Sequence, residues 1–167
     1  GIAVGKSLCE RDMAETARGI MGAAEAAGCE VILPTDGVTA TRFADGAPRT
    51  VTAIDAVADD AMILDIGPDS AAVIAARLEG IATLVWNGPL GAFELDGFDH
   101  GTNLVARAAA RLTRDGRLVS VAGGGDTVAA LANAGALEDF SYVSTAGGAL
   151  LEWLEGKPLP GVAALHT

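Results

Sequence analysis

Short apolar runs alternate with longer alanine-rich segments along most of the chain. The strongest apolar runs predict strands at residues 61–66, 82–86, 118–122 and 140–144. The segments after them predict helices at residues 70–79, 100–113, about 127–134 and from Ala146 or Gly147 onward. Because these strands are continuously apolar, they are typical of a mostly parallel sheet with helices on both faces. We therefore predict a doubly wound, Rossmann-like α/β fold.

The first third of the chain is less regular. Ser7 to Glu10 matches the capping-box pattern S-x-x-E and predicts a helix that ends near Gly28. A short β run is predicted at residues 30–33. A small β excursion around residues 38–54, with a turn at Asp45-Gly46, completes this part of the prediction.

Composition narrows the possible partners. The 167 residues, half of them hydrophobic, suit one domain with a sizeable core. A formal net charge of −11 would repel nucleic acid and anionic membranes, and no apolar run is long enough to span a bilayer. Cys9 and Cys29 form no CxxC pair and are predicted to be buried thiols in a reducing cytoplasm. His100 and His166 lie in no metal-ligand spacing. Because the net charge is so negative, an anionic ligand would bind only through local amides or a metal.

Glycine-rich loops follow three of the predicted strands, at residues 87–91, 123–126 and 146–148. In open α/β sheets, ligands bind beyond the carboxyl ends of the strands, where such loops meet. Glycine allows backbone N–H groups to approach a phosphate, and the positive end of a helix dipole favours the bound anion. The pattern predicts one ligand site at this edge of the sheet.

Asp126 stands at the tip of the second loop, where a carboxylate would repel a phosphate. It is either the N-cap of the next helix, as Asp69 or Ser70 would be for an earlier one, or a ligand of a Mg²⁺ that a nucleotide carries. The two roles are compatible. Glu94, just beyond the first loop, is either a solvated acid or a ligand contact.

Common nucleotide motifs are not satisfied. GIAVGKS, which contains Lys6, is one residue short of the Walker spacing, and Val128 stands where a dinucleotide-binding fingerprint needs its third glycine. These failures argue against a P-loop protein and against an NAD-dependent oxidoreductase. The chain also shows no nucleophile–base pair for hydrolysis.

Three longer stretches carry a resemblance to a known family. VWNGPLGAFE, VAGGGDTVAAL and FSYVSTAGGALLEWLEGKPLPGVAAL, together with GKSL and LDIGP, resemble the nucleotide-binding half of phosphoglycerate kinase in order and spacing. The resemblance implies reversible phosphoryl transfer between 1,3-bisphosphoglycerate and ADP, giving 3-phosphoglycerate and ATP. A non-catalytic nucleotide-binding module is the alternative.

The resemblance also implies roles for the second and third loops. Asp126 would hold the Mg²⁺ of ADP or ATP, and Thr127 would contact the phosphates. Gly123 and the glycines after it would line the nucleotide-binding site. Backbone amides would contact the transferring phosphoryl group at Gly124, Gly125, Gly147 and Gly148. Such positioning and charge stabilisation account for most of phosphoryl-transfer catalysis.

Other roles are implied for the first loop and for the LDIGP stretch. Asn87 and Pro89 would flank the phosphate and sugar region, Glu94 would hydrogen-bond the ribose, and Leu64 would face the adenine. The family usually has three glycines after Ser-Thr, whereas the first is Ala146 here. An alanine is compatible with this position if its φ is negative.

Family members are about twice as long as this chain. The resemblance implies that residues 1–167 are a fragment of the C-terminal nucleotide-binding domain. The phosphoglycerate would bind an absent N-terminal domain that also supplies a catalytic arginine. We expect the fragment alone to be inactive, and the intact protein to be a cytoplasmic monomer.

Overall fold

The computed structural model describes residues 1–164, except for the side chains of Leu150 and Leu154; His166 lies outside this range. The described strands are β1 (Asp36–Ala40), β2 (Arg49–Ala53), β3 (Met62–Ile66), β4 (Thr83–Asn87), β5 (Val119–Gly123) and β6 (Tyr142–Ser144). The α-helices are α1 (Ala14–Ala27), α2 (Pro68–Leu78), α3 (His100–Arg114), α4 (Gly125–Asn133), α5 (Gly147–Leu154) and α6 (Pro160–Ala163). Within residues 1–164, no helix is both long and apolar enough to cross a membrane.

The strands form two three-stranded sheets, and the predicted α/β class is confirmed. Strands β4, β5 and β6 are parallel, with β5 in the centre. Strands β2, β1 and β3 form an antiparallel sheet, so the expected β excursion is the hairpin β1–β2. Strand β3 pairs with β1 instead of joining the parallel sheet. The apolar pattern of β3 indicates burial but does not specify its pairing partner.

The main core lies on one face of the parallel sheet. Trp86 of β4 and Ala122 of β5 pack there against apolar side chains of α2, α3 and α4. Trp86 also makes an edge-on contact with Phe140, at 6.1 Å between ring centroids. On the opposite face, Val85, Val119 and Tyr142 are at least half exposed. Helices therefore cover one face of the parallel sheet, while these three side chains on the other face stay exposed, although both faces carry apolar side chains.

The N-terminal segment differs from its prediction in two places. Ser7 is not a helix cap: its hydroxyl accepts a 2.8 Å hydrogen bond from the N–H of Ile63 in β3. A short 3₁₀ turn, Arg11–Met13, precedes α1, which ends at Gly28 as predicted. Residues 30–33 form no strand, because no described strand pairs with them.

The two cysteines are also placed differently from their prediction. Cys9 and Cys29 are free and exposed instead of buried. They flank α1, a helix with no buried residue. Without a core beside this helix, the small thiols at its two ends remain in contact with solvent.

Helix α2 is capped by a residue of another element. Gly67 is its N-cap and Pro68 its first residue, so neither Asp69 nor Ser70 caps it as predicted. The N–H groups of Asp69 and Ser70 instead donate to the carboxylate of Asp36 in β1, at 3.1 and 2.8 Å. Burial raises the pKa of Asp36, but hydrogen bonds from Ser70 and Asp69 outweigh it and lower the pKa below its usual value.

Candidate functional site

The three parallel strands end at the same level. Asn87 of β4 is in register with Gly123 of β5, which is in register with Ser144 of β6. The N–H of Gly124 donates to the carbonyl oxygen of Ser144 at 3.0 Å and extends the pairing into the loop. The structure thus brings the loops at residues 87–91, 123–126 and 146–148 to one edge of the sheet, where ligands bind in open α/β folds.

Two of these loops meet through their glycines. Gly124 is the N-cap of α4 and has a φ of 101°, a conformation that favours glycine. Gly147 begins α5, and a Cβ at this position would stand 2.5 Å from Cα of Gly124. A Cβ at Gly124 would stand 3.7 Å from Oδ1 of Asn87, so the first loop lies close as well. Ala146 precedes the contact with a φ of −87°, which meets the condition for an alanine there.

The two remaining glycines of the site lie at helix starts. Gly125 is the first residue of α4, and Gly148 is the second residue of α5. Both are exposed. The first N–H groups of a helix lack partners within it and carry the positive end of the helix dipole, so both helix starts suit an anionic ligand.

Asp126 is the second residue of α4 and is exposed. It does not cap the helix, because Gly124 holds the N-cap position and no side chain makes a capping hydrogen bond. That alternative is therefore wrong. Within residues 1–164, no group of three or more acidic, histidine or cysteine side chains is arranged to hold a metal ion. A single exposed carboxylate beside helix-start amides that suit an anion is compatible with Mg²⁺, which uses one or two protein carboxylates and the oxygens of a phosphate.

Thr127 connects the second loop to the first. Its side chain is buried, and its hydroxyl oxygen accepts a 2.7 Å hydrogen bond from the N–H of Gly88. The indole N–H of Trp86 donates to the carbonyl oxygen of the same glycine at 2.6 Å. Gly88 is held on both of its backbone groups, so the chain leaves β4 along a defined path.

A cleft of about 540 Å³ runs along β3 beside the first loop. Leu64 and Pro89 both line it. Leu64 is only 9% exposed, because its side chain also packs in a core cluster of the antiparallel sheet. Its carbonyl oxygen accepts the N–H of Ala92 at 2.7 Å and holds the loop against the strand.

Sequence reasoning did not predict the other wall of this cleft. Lys6 and Phe43 line it, although they come from separate parts of the chain. The segment containing Lys6 lies along β3 because the N–H of Lys6 donates to the carbonyl oxygen of Ala61 at 2.7 Å. The stretch around Lys6 matched an incomplete Walker motif and part of the family resemblance, but no local pattern indicated this tertiary contact.

Glu94 lies just beyond the first loop. It is exposed, and its carboxylate has no hydrogen-bond or ion-pair partner among residues 1–164. Its sequence-derived role as a ligand contact stays a prediction, as does that of each site residue.

Asp65 is a buried carboxylate between β3 and the start of α3. It is 2% exposed and accepts the N–H groups of Gly101 at 2.8 Å and Ile66 at 2.9 Å. A Cβ at Gly91 would stand 2.2 Å from its Oδ1, so the first loop passes directly over the carboxylate. Burial raises the pKa of Asp65 to about 6, against the opposing effect of both N–H groups.

The structure defines an α/β protein, with a candidate ligand site at the carboxyl ends of a parallel sheet. A model of the phosphoglycerate kinase family matches residues 1–157. Phosphoglycerate kinase of Methylobacterium radiotolerans is 64% identical over 167 residues, which are 100% of this chain and 42% of that protein. The corresponding protein of Xanthobacter flavus is 61% identical over 99% of this chain and 42% of its own length.

A solved structure of the same family is similar to this chain over nearly all of its length. Phosphoglycerate kinase from Coxiella burnetii superposes with a TM-score of 0.90 at 42% identity, over 98% of this chain and 41% of that one. The chain belongs to the phosphoglycerate kinase family. It spans about 42% of the length of the curated relatives that it matches.

Proposed function

We propose that this chain is the C-terminal, nucleotide-binding part of a phosphoglycerate kinase. The intact enzyme would transfer a phosphoryl group reversibly between 1,3-bisphosphoglycerate and ADP, giving 3-phosphoglycerate and ATP. The observation that carries the proposal is the meeting of three glycine-rich loops at the carboxyl edge of the parallel sheet. Family membership supports the reaction.

The two glycine loops would bind the phosphates through backbone amides. The chain has a net charge of −11, so its overall field disfavours an anion and local donors must supply the attraction. Gly124 and Gly125 at α4, and Gly147 and Gly148 at α5, place two helix starts beside each other. Their N–H groups would stabilise the charge of the transferring phosphoryl group without any covalent step.

Asp126 would bind the Mg²⁺ that accompanies the nucleotide. The metal, when bound, would supply positive charge that offsets the negative charge of the phosphate oxygens. The exposed carboxylate beside the amides would make the loop specific for a metal-bound nucleotide over a bare anion. Thr127, whose oxygen accepts from Gly88, keeps its own O–H as a donor for a phosphate oxygen. Gly123 would line the nucleotide at the end of β5.

The first loop and the cleft would bind the rest of the nucleotide. Asn87 and Pro89 lie between the glycine loops and the cleft, and would flank the phosphate and sugar region. Leu64 would face the adenine from the wall of the cleft. Glu94, with no protein partner among the described residues, would accept a hydrogen bond from the ribose.

The proposal is tested with the full-length protein that contains this chain. ATP consumption is measured with and without 3-phosphoglycerate and Mg²⁺, and ATP formation is measured from ADP and 1,3-bisphosphoglycerate. We expect transfer in both directions, dependent on both additions. Mg-nucleotide binding without transfer would instead establish a non-catalytic nucleotide-binding module, and absence of nucleotide binding would refute both roles.

A further inference from the structure

The hydroxyl of Thr102 has no place in the proposed contacts with the nucleotide. Thr102 is the third residue of α3, and its side chain is completely buried. Its hydroxyl oxygen accepts a 3.0 Å hydrogen bond from the N–H of Leu90 in the first loop. Leu90 is partly buried, and the hydroxyl of Thr102 gives its N–H a protein partner.

The bond belongs to a regular set along the first loop. Alternate amides, those of Gly88, Leu90 and Ala92, donate to three different elements. The acceptors are the hydroxyl of Thr127 in α4, the hydroxyl of Thr102 in α3 and the carbonyl oxygen of Leu64 in β3. Thr102 is the middle attachment of the three.

Pro89 and Gly91 lie between the three attached amides and are compatible with these hydrogen bonds. Pro89, between the first two attachments, has no N–H and leaves no donor unpaired. Pro89 and Gly91 both line the cleft beside β3. Segment 88–92 is therefore held by its alternate amides while it forms one wall of that cleft.

We propose that Thr102 is a positioning residue for nucleotide binding: its hydroxyl holds segment 88–92 in the position in which it contacts the nucleotide. The inference rests on the proposed function, since it concerns the same site. Thr102 does not touch the ligand and acts through the backbone of Leu90. A valine of the same shape would fill the buried space but could not accept the hydrogen bond.

Helix α3 itself does not depend on this hydroxyl for its position. The N–H of Gly101 donates to the carboxylate of Asp65, and Val105 and Ala106 pack in the main core. Loss of the Thr102 hydroxyl would therefore release the loop while the helix stays in place. This separation allows an effect on the nucleotide to be distinguished from a general loss of structure.

The test compares Thr102→Val, Thr102→Ser and Thr113→Val in the full-length protein. Thr113 lies on the same helix, and its hydroxyl bonds with the carbonyl oxygen of Ala109 and with Ser120, away from the loop. Thr113→Val is thus a matched control for loss of a threonine hydroxyl from α3. Thr102→Ser keeps the acceptor for Leu90. The KM for Mg-ATP, the KM for 3-phosphoglycerate, kcat and the unfolding midpoint are measured for each.

We expect Thr102→Val to raise the KM for Mg-ATP about tenfold and to leave the KM for 3-phosphoglycerate within about twofold. Thr102→Ser should restore the nucleotide KM, and Thr113→Val should lower only the unfolding midpoint. A folded Thr102→Val protein with an unchanged nucleotide KM, or the same kinetics in both valine variants, would overturn the inference.

Two further readouts cover the remaining cases. If Thr102→Val does not fold, hydrogen exchange of the Leu90 amide in the wild-type protein tests the attachment. Exchange as fast as that of a solvated loop amide contradicts the attachment. Slow exchange that slows further with Mg-ADP supports it. If the wild-type protein binds Mg-ATP but transfers no phosphoryl group, the proposed reaction fails. Titration of the three variants with Mg-ATP then decides the role of Thr102 separately, with the same expected order of affinities.

Discussion

Gly147 lies against Gly124 so closely that a Cβ at position 147 would stand 2.5 Å from Cα of Gly124 and 2.8 Å from its nitrogen. The first turn of α5 thereby contacts the N-cap of α4, and the starts of the two helices lie together at the proposed ligand site. The atoms in the way are backbone, which cannot rotate aside as a flexible side chain does. A side chain of any size at position 147 must therefore move one helix start relative to the other.

The first prediction concerns this contact. Gly147→Ala should destabilise the protein by about 1–3 kcal/mol through overpacking, and should lower kcat by displacing the amides at both helix starts. Denaturant unfolding and steady-state kinetics measure the two effects. Gly148→Ala is the control, since a Cβ there meets no atom within 4 Å, and it should be as stable as the wild-type protein. Equal stability of the two variants would contradict the close contact.

The second prediction concerns the buried carboxylate of Asp65. Its pKa is raised from the ordinary 3.8 to about 6, so the folded protein binds this proton more tightly than the unfolded chain does. The contribution of the group to stability is complete below pH 3.8 and is lost as the pH rises through about 6. The difference between the two pKa values corresponds to about 3 kcal/mol of folding free energy at low pH.

Asp65→Asn removes this titration. The free energy of unfolding of the wild-type protein, relative to the variant, should therefore rise as the pH falls from 8 to 4, by about 2.5 kcal/mol. Urea unfolding of both proteins across this range measures the change. A difference that does not vary with pH would show that Asp65 titrates alike in the folded and unfolded chains. The charges of the nearby Asp99 and His100 affect the pKa of Asp65, and both residues are kept in the variant, so the comparison isolates the Asp65 carboxyl.

Glu94 tests the ribose contact. Glu94→Gln weakens an acceptor that has no partner among the described protein residues, so it should raise the nucleotide KM several-fold and leave the fold intact. Asp96→Asn, in the same exposed stretch, makes the same change of charge and should leave the KM unchanged. An effect on kcat alone, or equal effects of both variants, would count against the ribose role.

Periodic hydrophobicity was sufficient to predict most of the secondary structure. Strands β3 to β6 and helices α2 to α5 lie within a few residues of their predicted bounds, because burial imposes these patterns directly on the sequence. The pairing of β3 with β1 was not predicted. It depends on contacts between distant strands, which a single apolar run does not specify.

Local capping patterns were a poorer guide. Ser7 and Asp126 each match a favoured cap, yet Ser7 bonds to the backbone of Ile63, and Gly124 holds the cap position before Asp126. At α2 the capping carboxylate comes from Asp36, which is remote in sequence. Tertiary contacts decided the cases of Ser7 and α2, and a local motif contains no information about them.

The site was predictable where it depends on strand ends and was missed where it depends on tertiary neighbours. Glycine-rich loops after parallel strands must meet at one edge, so the predicted meeting of residues 87–91, 123–126 and 146–148 follows from topology. Lys6 and Phe43 reach the cleft through the placement of other segments against β3. Thr102 is similar, because its role arises only from its contact with the first loop.

The role of Asp126 is the central claim, and two matched aspartates test it. Asp126 and Asp69 are both exposed and both occupy the second position of a helix, in α4 and α2. Asp126→Ala and Asp69→Ala therefore remove the same favourable interaction with a helix dipole, about 0.3–1 kcal/mol. Only Asp126 lies at the proposed phosphate site.

The decisive measurement is the Kd for ADP of both alanine variants of the full-length protein, by titration calorimetry with Mg²⁺ and with a chelator. We predict that Asp126→Ala weakens binding at least about tenfold with Mg²⁺ and leaves it equal or tighter without the metal, since a carboxylate repels a bare phosphate. Asp69→Ala should change neither value. The same loss for Asp126→Ala with and without Mg²⁺ would contradict the metal role of this carboxylate.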